Sequence, residues 1–172
     1  IGSYNDFKQR IDEIQSVINI KGLDEQKQNI INKLSYINII TSLDTFICDI
    51  ILTKIIQDEE SFNNFFNSIP PCKKKDEMTK LKEDNLVAQW EQKAIEYVMR
   101  TSYSNIDTIK DILKELFKVS IIDTNGKMKK HFYYRNLLAH RNGRKKDGGY
   151  INITNEELKS LIRSEERRVG KE

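Results

Sequence analysis

Arg135-Asn136-Leu137-Leu138-Ala139-His140 is the stretch of this chain whose residue types and spacing can do chemistry. The arginine brings permanent positive charge and a planar guanidinium with two parallel donors. The histidine brings a transferable proton. Its surroundings suit a phosphate-bearing partner. Residues 127–146 hold eight Lys or Arg (Lys127, Lys129, Lys130, Arg135, Arg141, Arg144, Lys145, Lys146) and no acid. The whole chain nets +3, so the remaining residues, with 21 basic against 26 acidic side chains, net −5. The positive field is therefore concentrated on one segment.

A helix has to position these groups. At about 100° per residue, Tyr134, Leu137 and Leu138 form one apolar face that packs on a core. Asn136 and His140, four apart, share a neighbouring face. Arg135 lies beside Asn136, and its long stem can swing toward the same space. Asn142-Gly143 is a turn signal, so His140 falls near the helix C-terminus.

This Arg–polar–x3–His pattern resembles the motif of the HEPN superfamily, small all-helical domains found in prokaryotic toxins and CRISPR-associated ribonucleases. The upstream run Ser35–Ile56, SYINIITSLDTFICDIILTKII, is similar to the long second helix of the RiboL-PSP-type branch. The resemblance covers roughly Leu34 to Ile162, and only the six-residue motif is specific. It implies an all-α fold: a single-domain antiparallel bundle of about five to seven helices around a long central one.

Joined to these residues, the resemblance implies an endoribonuclease that uses neither metal nor cofactor. RNA carries its own nucleophile, the 2′-OH. A neutral histidine can take its proton while an arginine stabilises charge on the phosphorane-like transition state. The catalytic candidates are Arg135 for the phosphate, His140 as general base or acid, and Asn136 as orienting group. Lys129, Lys130, Arg141, Asn142, Arg144, Lys145 and Lys146 are the candidate RNA-binding residues. The resemblance further implies 2′,3′-cyclic phosphate and 5′-OH products, a toxin or defence setting, a homodimer, and an antitoxin or nucleotidyltransferase partner. The alternative is a non-catalytic module that binds RNA or protein through the same face.

Neighbouring residues keep two readings each. His131 can join the site or be one more polar group on a basic helix. Asp44 and Asp49 can orient Arg135 or His140, or be exposed acids of an amphipathic helix. Tyr133 can stack a base or pack.

Other chemistries lack residues. Two His nine apart and two isolated Cys, Cys48 and Cys72, form no zinc pattern. Neither a glycine-rich phosphate loop nor a serine-nucleophile motif occurs. No run of 18 apolar residues and no signal peptide is visible, so a cytoplasmic protein without membrane attachment is expected.

Along the chain, Tyr4, Phe7, Ile11, Ile14 and Ile18 predict a helix over 4–20. Asp24 caps a long second helix, to about Gln57, with Ile30, Leu34, Ile37, Ile40, Leu43, Phe46, Ile50 and Ile55 inward. Ile47–Ile56 is apolar nearly all round and suggests burial on several sides, including against a second protomer. Phe62, Phe65 and Phe66 face inward from a short helix stopped by Pro70-Pro71. A helix around Trp90 follows, then one capped by Ser104 with Ile106, Ile109, Leu113 and Leu116 inward. Thr154 and Glu157 form a capping box that opens a last helix through Ile162. Residues 163–172, RSEERRVGKE, resemble the translation of a sequencing-adapter oligonucleotide. They are expected to be a non-native tail on a domain spanning 1–162.

Overall fold

The computed structural model describes residues 2–68, 106–120 and 126–169, with 92, 95, 96, 98 and 99 between them; side chains beyond Phe65 in the third helix and beyond Glu165 in the last are not included. Among the described residues every regular element is a helix. These are α1 (Gly2–Ile18), α2 (Glu25–Gln57), α3 (Glu59–Ser68), α4 (Ile106–Phe117), α5 (Lys127–Arg141) and α6 (Asn155–Val169). The expectations for Phe66, Pro70-Pro71, Cys72, Trp90 and Ser104 lie outside the described residues. No described helix is long and apolar enough to cross a membrane.

Two compact units emerge, one from the segments up to Phe46 and from Lys127 onward, the other from Ile47 to Gly126. In the first, α1 buries Phe7, Ile11 and Ile18 and packs against α6. The Phe7 ring meets Phe46 of α2 at 5.5 Å between centroids. Asp24 caps α2, accepting the Lys27 backbone N–H at 2.8 Å. In the second unit, Asp58 caps α3 by accepting from the Glu60 N–H at 3.1 Å. Phe62 and Phe65 are buried there, and α3 packs on α4, whose Ile106, Ile109, Ile112, Leu113 and Leu116 are buried.

The inward face of α2 differs in its first turns from the one its apolar spacing predicts, though Ile40, Leu43 and Ile55 are buried as expected. Ile30 and Leu34 are exposed, whereas Asn32, Ser35, Tyr36, Ile39, Ile40, Ser42 and Leu43 are buried. The reason lies in tertiary hydrogen bonding. Asn32 Nδ2 donates to the Ile153 carbonyl at 2.8 Å, satisfying a buried backbone acceptor 121 positions away. Farther along, Ile47, Ile51 and Ile55 are buried, while Ile50 and Leu52 are half-buried and Ile56 is exposed. Burial there follows one stripe rather than the whole circumference.

Thr154 and Glu157 reciprocate at the start of α6, with the Thr154 N–H donating to Glu157 at 2.9 Å and the Glu157 N–H to Thr154 Oγ1 at 3.1 Å. The helix does not stop at Ile162. It continues to Val169, and Glu165 is buried alongside Leu158, Leu161 and Ile162.

Candidate functional site

Helix α5 carries the candidate residues Arg135, Asn136 and His140. Met128, Phe132, Leu137 and Leu138 bury its inner side, which fixes where everything else points. Tyr134, expected to share that face, is only half-buried, and the Lys130 ammonium lies 5.1 Å from its ring centre. The C-terminus closes on a left-handed pair. Asn142 has φ 49° and Gly143 φ 80°, and the Gly143 N–H donates to the Leu137 carbonyl at 2.9 Å, which satisfies one of the helix's last free carbonyls. A Cβ on Gly143 would meet Leu138 Cδ2 at 3.2 Å, so glycine serves both the backbone sign and the close approach.

Beyond this cap the chain folds back on itself. The Lys145 N–H donates to the Gly149 carbonyl at 2.8 Å and the Ile151 N–H to the Gly143 carbonyl at 2.9 Å. Between those bonds Arg144 and Tyr150 form an antiparallel bridge. Ile151 and Ile153 are buried and anchor the return.

Arg135 points to α2, where its Nη2 donates to Asp44 Oδ2. Each side chain is only 18% exposed, so Arg135 is a half-buried ion-pair partner rather than a side chain swung out beside Asn136. The pair makes one contact: Asp44 Oδ1 and Arg135 Nε are buried without a hydrogen-bond partner. Burial pushes the Asp44 carboxyl up to about 6, and Arg135 offsets only part of that. Of the two readings of Asp44, the orienting one is what the geometry provides.

His140 sits in the last turn of α5 and is exposed, next to exposed Arg141 and Asn142. Asn136 is half-buried one turn before it. Arg135 and His140 are five residues apart, which separates them by about 140° around the helix. Their functional groups therefore diverge within one chain. Lys129 and Lys130 are exposed at the other end of α5, Arg144 and Lys146 are exposed in the hairpin, and Lys145 is half-buried.

His131 belongs to a different arrangement. Its Nδ1 shares a 2.6 Å hydrogen bond with the hydroxyl of Tyr36, which is buried in α2. Burial raises the Tyr36 phenol well above its ordinary range. That bond explains His131 as a structural partner on the inner flank of the basic helix. Periodicity could not have found it, since its two ends are 95 positions apart. No group of three His, Cys, Asp or Glu side chains suited to a metal occurs among the described residues.

Comparison with known proteins adds one finding: the family model described as RiboL-PSP-HEPN matches residues 5–164. No curated protein and no solved structure matches the chain.

Proposed function

Because the chain belongs to the RiboL-PSP-HEPN family, we propose that it is an endoribonuclease that leaves 2′,3′-cyclic phosphate and 5′-OH ends. The observation that carries this reading is His140, exposed at the end of a helix whose other charges are all basic. His140 takes the proton of a ribose 2′-OH, and the oxygen attacks the adjacent phosphorus. The bond from phosphorus to the 5′ oxygen breaks, and that oxygen receives a proton as it leaves. Arg135 supplies positive charge to the phosphorane-like transition state, and Asn136 orients the attacking group. Since RNA supplies the nucleophile, the reaction requires no metal. Lys129, Lys130, Arg141, Asn142, Arg144, Lys145 and Lys146 hold the backbone.

A homodimer completes the site. One chain offers a single His140, turned away from Arg135, whereas the reaction wants both a base and an acid. Two α5 helices about a two-fold axis put two His140 and two Arg135 side chains around one cleft. Asp44 acts as a positioning residue, holding the guanidinium until phosphate competes for it. A toxin or defence role, with an antitoxin or nucleotidyltransferase partner in the cytoplasm, is the setting this reading implies.

The Arg135–Asp44 pair also favours a second reading, in which the arginine is structural and the basic face binds RNA without cutting it. Incubating pure protein with mixed RNAs and mapping the ends separates the two. Cyclic-phosphate ends that vanish with His140→Ala support cleavage; RNA bound but left intact supports the module.

A further inference from the structure

Two tyrosines of the segment that carries His140 hold much of their ring in solvent. Tyr150 is 62% exposed and Tyr133 is 45% exposed. Beside a basic surface, a solvent-facing ring offers an open face on which a nucleic-acid base can stack.

The backbone fixes where Tyr150 lies. The two hairpin bonds flank the Arg144–Tyr150 pair rather than joining it. That makes it the non-hydrogen-bonded type, with Cα atoms about 4.5 Å apart and both side chains on one face. An exposed ring and an exposed guanidinium thus stand side by side, one stacking surface and one phosphate ligand. The hairpin is tied to the end of α5 by the Gly143 carbonyl, three residues after His140.

Tyr133 is placed by the helix. Lys129, Tyr133, Asn136 and His140 recur at steps of four, three and four, so they form one stripe along α5. From Tyr133 to His140 the stripe rises about 10.5 Å. Its inner neighbour Tyr134 sits with its ring 6.2 Å from that of Tyr133, tilted 48°, which braces Tyr133 without covering it. Along the chain, His140 thus follows an exposed aromatic on its own helix and precedes another on the hairpin after the cap.

Resting on the ribonuclease reading of the same site, we propose that Tyr133 and Tyr150 are base-stacking platforms flanking His140, and that the substrate is RNA that is single-stranded there. Stacking needs an open base face, and in an A-form duplex neighbouring bases cover both faces. Arg144 holds the backbone phosphate next to the base on Tyr150. Such platforms tolerate any base, so they select strandedness rather than sequence.

The test measures binding apart from cleavage. A fluorescent, unstructured 2′-O-methyl oligoribonucleotide of twelve nucleotides cannot be cut, because its 2′-OH is blocked. Its anisotropy is titrated with the wild-type protein and with Tyr133→Leu, Tyr133→Phe, Tyr150→Leu and Tyr150→Trp, next to the blunt duplex of the same sequence. Each leucine variant is expected to bind the single strand about 5- to 100-fold more weakly. The aromatic variants should bind it like wild type, and duplex binding should hardly change across the series. Leucine variants that bind the single strand as wild type does, or a duplex that competes equally, would overturn the proposal. If wild type cuts no unmodified RNA while the tyrosine effects appear, the platforms stand and the cleavage reading falls. If wild type cuts RNA and the leucine variants bind and cut alike, the platforms fall alone.

Discussion

Arg135 of α5 donates to Asp44 of α2 across 91 positions of sequence, and this half-buried pair ties the candidate catalytic helix to the long helix behind it. One charge contact with two unpartnered buried atoms is an incomplete pair. The desolvation of Asp44 is therefore only partly offset.

That imbalance has a pH signature. The Asp44 carboxyl titrates at about 6 in the folded protein against 3.8 as its ordinary value. A raised carboxyl favours the folded state when protonated, so its contribution is fully present below about 3.8 and is lost as pH rises through about 6. The melting temperature of wild type relative to Asp44→Asn should fall between pH 4 and pH 7. A difference constant across that range would show that Asp44 is not desolvated as described.

His140→Ala should abolish RNA cleavage with little change in melting temperature, because the side chain is exposed. One general acid–base group typically contributes ~10²–10⁴-fold, which a gel resolves. EDTA should have no effect on the wild-type reaction. Cleavage that persists in rigorously purified His140→Ala would move the chemistry elsewhere.

Arg135→Ala is expected to cost both activity and stability, since it leaves Asp44 buried without its cation. Arg135→Lys should recover part of the stability and little of the activity, because an ammonium cannot present two parallel donors to phosphate. Equal recovery of both by lysine would reduce Arg135 to a charge.

Neutralising Arg144, Lys145 and Lys146 together should weaken RNA binding and flatten its salt dependence. Each lost phosphate contact removes about 0.7 from the slope of log affinity against log salt on a single strand. The rate at saturating RNA should change far less. An unaltered slope would mean that the hairpin does not touch the backbone.

The C-terminal residues can be divided by truncation. Glu165 is buried and α6 passes through it, so ending the chain after Ile162 should lower the melting temperature by several degrees. Ending it after Glu165 should leave the melting temperature nearly unchanged if the remainder is a non-native tail. A large drop in the second protein would mean that residues 166–172 pack.

What was legible without coordinates was local. The Asp24 cap, the Thr154–Glu157 capping box, the Asn142-Gly143 turn, the inward stripe of α4 and that of α1 at Phe7, Ile11 and Ile18, though not at exposed Tyr4, depend on residues within one or two turns of each other. Their free energy is largely decided inside the segment, so residue type and spacing are enough. The charge concentration on α5 is likewise a property of composition, and with the Arg–His spacing it located the candidate site.

The face of α2 was legible only in part: Ile40, Leu43 and Ile55 are buried as their spacing predicts, whereas Ile30 and Leu34 are exposed, because isoleucines occur on nearly every side of it and periodicity cannot choose among them. Long-range bonds chose: Asn32 to the Ile153 carbonyl, Tyr36 to His131, Asp44 to Arg135. The same bonds decided that Arg135 turns inward while His140 stays in water. Charge and spacing allowed either orientation. Burial decided between them, because a half-desolvated guanidinium needs a carboxylate within reach, and only the folded chain brings one from 91 residues away.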